Sequence, residues 1–387
     1  MSDSVKVVFV DHSSERGGAE MALERLLQTR QDWRASLVVP RALDGRKDAF
    51  TSHAEGVEVI RSGPQHSARK TSRGGRLAEV ALAWRIARSA LGLVTTAAVR
   101  QADVVVANTT RASVYVALAC ALLRKPYAIH VRDLIEAAAI GSAATTLMRR
   151  IVLPRATAVI ANSRASLALV APYVRASCLQ SVIPSPAGLT IREASQVTVA
   201  TTATRIGMVA RLDPWKGQEL LIEAFTKAFS EGNERLVLFG GAAFGHDEFP
   251  DELRALALRR GVGERVELAG HTSDVAGAID SLDICVQSST RPEPLGQNVL
   301  QYLAAGKPTV VADEGGPAEW VTHDVNGLTF TARDDDSLAA ALRRLVDDET
   351  LRLRLARAAA STPRLLADTD VGAEIHGIVS RIAREHA

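Results

Sequence analysis

The sequence predicts an α/β protein with two Rossmann-like domains, each a doubly wound and mostly parallel sheet, that face a central cleft. Short apolar strands alternate with helical segments along the chain, and a second series begins at residue 205. The chain has 387 residues, more than one hydrophobic core usually supports. Strands such as residues 103–108 are apolar without alternation, which is typical of strands buried on both faces.

The domain boundaries follow from where this periodicity stops and starts. We expect residues 1–185 to form the first domain and residues 204–365 the second. Residues 186–203 between them are rich in Ser, Thr and Ala without periodicity, which is typical of an interdomain linker. Within residues 366–387 one face carries four apolar side chains, and this pattern predicts a C-terminal helix that packs back on the first domain; they are Val371, Ile375, Ile378 and Ile382.

Composition narrows the class of protein. The formal net charge of +2 gives no reason to expect nucleic-acid binding. Three cysteines, far apart in apolar surroundings, indicate reduced core residues, not a disulfide framework or a zinc site. No signal peptide is visible, and arginines interrupt the most apolar stretch, so we expect a cytoplasmic protein.

A basic segment in the first half of the chain bears on whether the protein contacts a membrane. Residues 61–76 are basic and acid-free, and they precede a predicted helix at residues 77–89 that carries Trp84. A core tryptophan with a solvated basic face is the favoured interpretation. The alternative is peripheral contact with the inner face of a membrane through this loop and helix.

The second domain shows the clearest site pattern. Arg211 and Lys216 flank a predicted helix start, with either Asp213 or Gly217 as the capping residue, at the end of the strand that begins at Arg205. Two cations, free backbone N–H groups and a helix dipole suit a diphosphate. A loop carrying Glu293 leads into a short apolar helix at the equivalent end of the same sheet.

These stretches resemble a known family. Two stretches are similar to the retaining glycosyltransferases of family 4, which are nucleotide-sugar enzymes of the two-domain GT-B fold. One runs from Arg211-Leu-Asp-Pro-Trp-Lys216 to Phe225, and the other from Pro292-Glu-Pro-Leu-Gly-Gln297 to Glu319. Gly17-Gly18-Ala-Glu20 after the first strand also matches. The resemblance covers nearly the whole chain and is strongest over residues 205–329. It implies that residues 1–185 bind the acceptor and residues 204–365 bind the nucleotide-sugar donor.

The resemblance implies a role for each matching position. Arg211 and Lys216 would bind and stabilise the donor diphosphate, and Glu293 would hold hydroxyls of the donor sugar. His130, near the reacting sugar, would be a catalytic residue like these three. The remaining positions would bind substrate: the loop at Pro294, Leu295, Gly296 and Gln297 would meet sugar and phosphate, Gly17 and Gly18 would close on the donor, and Gly270 with His271 would lodge the nucleobase.

Two places depart from the family pattern. Residues 183–189 read Ile-Pro-Ser-Pro-Ala-Gly-Leu where the family often has proline-asparagine-glycine and a later aspartate, so we expect a different interdomain hinge. The family's second motif carboxylate falls eight residues after Glu293, where this chain has Gln301. There the family contacts the nucleotide ribose, and an amide lacks the charge-assisted acceptor of a carboxylate.

We expect no cofactor and no essential metal, because Asp334, Asp335 and Asp336 open a helix and are typical of N-terminal caps. His12, which follows the first strand, is interpreted as a solvated or capping residue.

The predicted activity is transfer of a sugar, with retention, from a nucleoside-diphosphate sugar to an acceptor hydroxyl in polysaccharide, glycolipid or natural-product glycoside synthesis. The acceptor, a sugar, lipid-linked sugar or small molecule, is left open. Two alternatives remain: a nucleotide-sugar 2-epimerase of the same fold, and a non-catalytic partner, for which Gln301 is the only sign.

Overall fold

The computed structural model describes residues 4–15, 17–29, 31–41, 49–50, 56–64, 76–242 and 245–387. The chain divides into two compact units: Met1–Pro186 with Asp368–Ala387, and Ala187–Ala367. The predicted basic segment lies partly outside the described residues, at positions 65–75. No helix in the described part of the chain is both long and apolar enough to cross a membrane.

The first unit is built on a seven-stranded parallel sheet in the order β3-β2-β1-β4-β5-β6-β7. Its strands are β1 (Val5–Val10), β2 (Trp33–Val39), β3 (Glu58–Arg61), β4 (Val104–Ala107), β5 (Tyr127–Val131), β6 (Ala158–Ala161) and β7 (Leu179–Val182). Its helices before the second unit are α1 (Gly18–Gln28), α2 (Arg76–Thr95), α3 (Ala97–Gln101), α4 (Thr110–Leu123), α5 (Ala137–Ile140), α6 (Ser142–Leu147) and α7 (Arg164–Ala168). The central strands are buried along their whole length, as their unbroken apolar runs predict.

The second unit has a six-stranded parallel sheet in the order β10-β9-β8-β11-β12-β13. Its strands are β8 (Arg205–Val209), β9 (Arg235–Phe239), β10 (Val266–Gly270), β11 (Ile284–Gln287), β12 (Thr309–Ala312) and β13 (Leu328–Phe330). Its helices are α8 (Gln218–Ala228), α9 (Phe249–Arg259), α10 (Val275–Asp280), α11 (Gln297–Ala304), α12 (Pro317–Trp320), α13 (Asp335–Asp347) and α14 (Glu349–Ala360).

The chain ends in helix α15 (Asp368–His386), which belongs to the first unit. Its buried stripe contains Val371, Ile375, Val379 and Ile382, so Val379 takes the place that the sequence pattern assigned to Ile378. His376 packs edge-on against Trp33, with 5.6 Å between ring centroids. This contact holds the last helix against the start of β2.

Residues 187–203 are not the free linker that their composition suggests. They are part of the second unit, and Val197 is fully buried against Ala356 and Ala360 of α14. Arg192 donates its backbone N–H to the carbonyl of Ala304. A few apolar side chains spaced along a Ser/Thr-rich stretch are enough to pack it, although they are too sparse to give a periodic signal.

Trp84 is likewise not a core residue. On helix α2 it is 58% exposed, and the guanidinium of Arg88 lies 5.3 Å from the centre of its ring. Leu82 and Leu91 of the same helix are also at least half exposed. The interpretation of Trp84 as buried is therefore wrong.

Candidate functional site

Both sheets reverse their strand order at one point, and polar residues gather at the carboxyl ends of the strands there. In the first unit the reversal lies between β1 and β4, and in the second between β8 and β11. Ligands of open α/β sheets bind in the crevice outside such a reversal, because the loops on its two sides run in opposite directions. Each unit therefore has one expected binding position.

In the second unit this position is built around an ion pair. Lys216 Nζ lies 2.7 Å from Glu293 Oε2; Glu293 is buried and Lys216 is half-buried. Lys216 also lies 4.3 Å above the ring centre of Trp215. The structure thus brings together two of the predicted site residues, one from the loop after β8 and one from the loop after β11.

Two further residues complete the environment of Glu293. Its Oε1 accepts hydrogen bonds from Gln287 Nε2 at 3.0 Å and from the hydroxyl of Ser289. Burial alone would raise the pKa of Glu293, but the charge of Lys216 and the hydrogen bonds from Lys216, Ser289 and Gln287 bring it below its usual value. Glu293 is therefore a fixed anion with a defined orientation.

The backbone around this pair is held by close glycine contacts. Gly217 has φ of 78°, and a Cβ there would lie 1.8 Å from the carbonyl oxygen of Ser288. Gly315 has φ of 70°, and a Cβ there would lie 2.8 Å from the backbone nitrogen and oxygen of Glu293. Both positions need glycine for conformation and for space. Of the two helix starts that the sequence allowed, the structure has the one capped at Gly217, since Asp213 precedes a short 3-10 turn.

Arg211 lies in the same loop but pairs differently. Its Nη2 is 3.0 Å from Asp213 Oδ2, and its carbonyl accepts a hydrogen bond from Gln218 Nε2 at 2.9 Å. A carboxylate thus fixes each of the two predicted cations, Asp213 for Arg211 and Glu293 for Lys216. The sequence predicted Asp213 only as a possible helix cap and assigned no role to Gln287 or Ser289; polar residues directly after β8 and β11 were the available signal.

Helix α11 opens beside Glu293 with unused backbone donors. Gly296 caps it with φ of 75°, and within the described part of the chain the N–H groups of Leu295, Gly296 and Gln297 donate to no protein acceptor. Pro294 has no N–H, so it cannot serve as one of the loop amides. Free N–H groups at a helix start are donors suited to phosphate oxygens.

The remaining second-unit residues lie further along the same edge. Gly270 ends β10 with φ of 76°, and its carbonyl accepts from the N–H of Gly240 at 2.8 Å, while His271 beside it is exposed. Gln301 is half-buried and donates from Nε2 to the carbonyl of Ala187 at 2.9 Å. A glutamate could not donate to that carbonyl, which gives a structural reason for the amide at this position.

The first unit contains Gly17, Gly18 and His130. His130 is 3% exposed, and its Nδ1 lies 3.0 Å from Arg132 Nη2. Burial, followed by the charge of Arg132, holds the pKa of His130 well below its usual value, so the imidazole is neutral. Its Nε2 has no partner among the described residues, and the ring lines a cavity of about 10 Å³ with Asn162 and Ser185.

A second set of polar residues lies between β1 and β4 of this unit. Asp11, 1% exposed, accepts from Asn108 Nδ2 at 2.5 Å and from the backbone N–H of His12 at 2.6 Å. Arg132 donates to the carbonyl oxygen of the Asn108 side chain at 2.9 Å. Burial lowers the pKa of Arg132 to about 10, even though Asp11 and Glu20 act to raise it. The sequence reasoning did not assign roles to this network.

Comparison with known proteins decides the class of the second unit. Residues 191–362 match the family model for glycosyl transferases group 1. Over these residues the second unit is similar to the glycosyl transferases of group 1. It is 36% identical over 114 residues to the lipopolysaccharide core biosynthesis glycosyltransferase LpsD of Rhizobium meliloti (strain 1021), which is 30% of this chain and 33% of LpsD.

A second relative is the D-inositol 3-phosphate glycosyltransferase of Corynebacterium glutamicum (strain R), 27% identical over 187 residues, or 47% of this chain and 44% of that protein. The match thus spans between a third and a half of the length of these two relatives.

Solved structures extend the similarity to the whole chain. The crystal structure of Anabaena Alr3699/HepE in complex with UDP has a TM-score of 0.79 at 26% identity, covering 97% of this chain and 100% of that one. The same protein in complex with UDP-glucose has a TM-score of 0.76 at 26% identity, with 97% and 99% covered. Sucrose-phosphate synthase from Thermosynechococcus elongatus, 18% identical with a TM-score of 0.77 and coverage of 98% and 100%, shares the fold. The predicted GT-B fold and the resemblance to glycosyltransferases are confirmed.

Proposed function

We propose that the protein transfers a sugar from a nucleoside-diphosphate sugar to an acceptor hydroxyl. The observation that carries the proposal is the Lys216–Glu293 ion pair at the strand reversal of the second unit, in the same loops as Arg211 and the free N–H groups at the start of α11. Glu293 is an oriented anion that can accept hydroxyl hydrogens of a sugar. The cations and amides supply the opposite charge, which a diphosphate needs.

The donor is proposed to be a UDP-hexose. HepE, similar over its full length, is solved with UDP and with UDP-glucose. In this chain Gly270 and His271, at the end of β10, would accommodate the base, and Gln301 would be near the ribose. Gly17, Gly18 and His130 are proposed to act from the first unit, the glycines on the donor and the histidine near the reacting sugar.

We propose transfer with retention of the anomeric configuration and without an essential metal. The bond between the anomeric carbon and the diphosphate oxygen breaks, and a bond to the acceptor oxygen forms on the same face. The leaving diphosphate takes the hydroxyl proton. Arg211, Lys216 and the α11 amides stabilise the charge that develops on the leaving group, and losing one such contact typically costs about 100- to 1,000-fold in kcat.

Isothermal titration with UDP, GDP, ADP and dTDP tests the donor class, and we expect UDP to bind most tightly. Arg211→Met should weaken UDP binding, whereas Arg343→Met, at a surface position of α13, serves as the matched control. Incubation of UDP-glucose with an acceptor panel, in buffer with EDTA, should give an α-glycoside by NMR. Interconversion of the sugar without transfer would identify an epimerase, and binding without any turnover would identify a non-catalytic partner.

The cellular location is proposed to be the cytoplasm, with peripheral contact at the inner membrane face. The exposed Leu82, Trp84 and Leu91 of α2 support the contact. Sedimentation with anionic lipid vesicles tests it: Trp84→Ser should reduce the bound fraction, and equal sedimentation of the variant would contradict this role of α2.

A further inference from the structure

His130 in the first unit has one ring nitrogen with a partner and one without. The residue lies near the end of β5 and is 3% exposed. Its Nδ1 is 3.0 Å from Nη2 of Arg132, whereas its buried Nε2 has no hydrogen-bond partner among the described residues. Buried polar atoms in proteins nearly always have partners, so an exception calls for a physical reason.

The contact with Arg132 determines which nitrogen of His130 carries the proton. A guanidinium group has donors only, so Nδ1 accepts the hydrogen bond through its lone pair. A neutral imidazole then has its proton on Nε2. Burial, followed by the charge of Arg132, holds the pKa of His130 well below its usual value, so the ring does not take up a second proton near neutral pH. The side chain is therefore a neutral donor, and its N–H is the nitrogen without a partner.

Arg132 is itself held in one orientation. Its Nε and Nη2 donate to Oδ1 of Asn108 at 3.2 and 2.9 Å, and its Nη1 donates to the hydroxyl of Ser185. Asn108 in turn donates to Asp11 at 2.5 Å. Because a planar guanidinium held through all three nitrogens cannot rotate, the hydrogen that it directs at His130 has a defined position. The polar network at the strand reversal thus extends to the imidazole.

The charges around Arg132 keep the guanidinium ionised. Asp11, Glu20 and Asp133 each act to raise its pKa, and although burial lowers that pKa to about 10, the group stays protonated at neutral pH. A permanent cation beside Nδ1 disfavours a proton there and disfavours the imidazolium form. Arg132 therefore sets both the tautomer and the charge of His130.

A small cavity offers space for a ligand atom beside the histidine. His130 lines a cavity of about 10 Å³ together with Asn162, Ser185 and, from α15, Ile375, and none of these three side chains is titratable. A cavity of roughly this volume holds one water-sized group. All four residues belong to the first unit. The cavity can therefore admit one hydroxyl group, whose oxygen can accept the Nε2 hydrogen.

We propose that Arg132 is a positioning residue for sugar transfer, which holds His130 as a neutral donor whose Nε2–H binds one hydroxyl oxygen of the transferred sugar. The inference rests on the proposed transferase function and adds to it a residue that acts through His130 and not on the substrate. It also makes His130 a hydrogen-bond donor and not a general base, because a protonated Nε2 has no lone pair to accept a proton.

NMR of the full chain with 15N-labelled histidine tests the tautomer. The sequence has nine histidines, and the signals missing from His130→Gln identify those of His130. In the unmodified protein we expect the proton on Nε2 and no titration of this ring between about pH 5 and 8. Addition of UDP-glucose should shift the Nε2 signal, whereas UDP, which brings no hexose, should not.

Arg132→Met removes both the donor to Nδ1 and the positive charge. The pKa of His130 should rise, its ring should populate both tautomers, and kcat with UDP-glucose and an acceptor should fall about tenfold with a smaller change in KM. Arg155→Met is the matched control, because Arg155 is exposed and donates to the Ile151 carbonyl four residues earlier. It should leave the tautomer and kcat unchanged.

His130→Gln separates hydrogen-bond donation from proton transfer, and it keeps the proposal testable if Arg132→Met does not fold. A glutamine amide supplies a neutral N–H donor at a reach similar to that of Nε2 but cannot act as a general base. We therefore expect kcat of His130→Gln to stay within about threefold of the unmodified protein, whereas His130→Ala should lose about tenfold.

Four results would overturn the proposal: a proton on Nδ1 of His130 in the unmodified protein, an Nε2 signal that UDP-glucose leaves unchanged, a folded Arg132→Met with unchanged tautomer and kcat, or equal losses in His130→Gln and His130→Ala. Absence of sugar transfer by the unmodified protein refutes the proposed function whatever the tautomer. Transfer with the proton on Nδ1 refutes only the role of Arg132, so the two failures are distinguishable.

Discussion

Glu293 and Glu20 occupy corresponding positions in the two units but differ in their partners. Each lies beside the reversal of strand order in its sheet, and each is about 6% exposed. Glu293 has a lysine at 2.7 Å and hydrogen bonds from Gln287 and Ser289, and its pKa is lowered. Glu20 has no side-chain donor among the described residues, and its pKa is raised to about 7.

The comparison shows that burial alone does not set the state of a carboxyl group. Burial is the largest influence on both pKa values and acts upward on both, so the donors around each group decide the net direction. Glu293 is a permanent anion held by the protein, suited to orient a ligand. Glu20 has no comparable set of donors among the described residues.

The largest change in stability should come from removing the cation of the Lys216–Glu293 ion pair. Lys216→Met leaves Glu293 buried without its counter-ion, and we expect a loss of about 3–5 kcal/mol in unfolding free energy at pH 7.5. In the unmodified protein the lowered pKa contributes stability above the unfolded value, and this is lost as pH falls through the folded value. In the variant the pKa of Glu293 should rise, so the difference between the two proteins should shrink at pH 4.5.

Urea denaturation at both pH values measures this difference. Lys227→Met is the control, since Lys227 pairs with Asp335 and Asp336 on the surface and is 40% exposed; it should leave stability nearly unchanged at both pH values. Adding Glu293→Gln to Lys216→Met should recover part of the loss. An equal loss at pH 7.5 and 4.5 would mean that packing of the lysine, not its charge, holds the loop.

The second-largest effect should be a gain in unfolding free energy, opposite in sign to the loss expected for Lys216→Met. Glu20→Gln removes a buried charge that has no counter-ion beside it, and we expect a gain on the order of 2–3 kcal/mol at pH 8. Below pH 4.5 the carboxyl group is protonated in both folded and unfolded chains, and the gain should vanish. Between pH 4.5 and about 7 the stability of the unmodified protein relative to the variant falls as pH rises.

Denaturation profiles from pH 4 to 8 give the measurement. Glu24→Gln on the same helix should show no comparable increase with pH. A loss of stability in Glu20→Gln at pH 8 would indicate a donor for the carboxylate and would remove the contrast with Glu293.

The sequence predicts the fold better than it predicts these environments. Unbroken apolar runs such as those of β4, β6 and β12 identify buried parallel strands because two covered faces leave no room for polar alternation. Lys216 and Glu293 are 77 residues apart, yet both follow strands that meet at one sheet reversal, so their convergence was predictable.

The sequence does not predict which side chains pair with each buried carboxyl group. Nothing local distinguishes Glu293, which is paired with Lys216, from Glu20, which has no side-chain donor among the described residues. The difference depends on distances across the sheet edge, such as the 4.0 Å from His12 to Glu20. The predictions of a linker around Val197 and of a buried Trp84 are wrong for a related reason. Burial of a single apolar residue depends on what packs against it, and composition does not contain that information.

A smaller effect is expected at position 301, where a carboxylate would face a hydrogen-bond acceptor in place of a donor. Gln301→Glu loses the hydrogen bond to the Ala187 carbonyl and sets an anion against it, so we expect a loss of about 1–2 kcal/mol in urea denaturation. Gln297→Glu makes the same change in the first turn of α11, where the dipole favours an acid, and should change stability little. UDP titration of Gln301→Glu, if it showed tighter binding together with lower stability, would place this side chain near the ribose.

The smallest effect resolves how much of the Glu293 environment comes from neutral donors. Ser289→Ala removes the hydroxyl that donates to Glu293, and we expect a loss of about 1 kcal/mol at pH 7.5 that decreases as pH falls through the pKa of Glu293. Ser288→Ala is a close control, because Ser288 is equally buried but donates to the Gly217 carbonyl at 2.9 Å. Its loss should be similar in size and independent of pH, since a carbonyl does not titrate. If both variants show the same pH dependence, the two serines act through loop packing. If only Ser289→Ala loses less stability at low pH, the neutral donors help Lys216 to keep Glu293 ionised. Glu20 lacks such donors among the described residues.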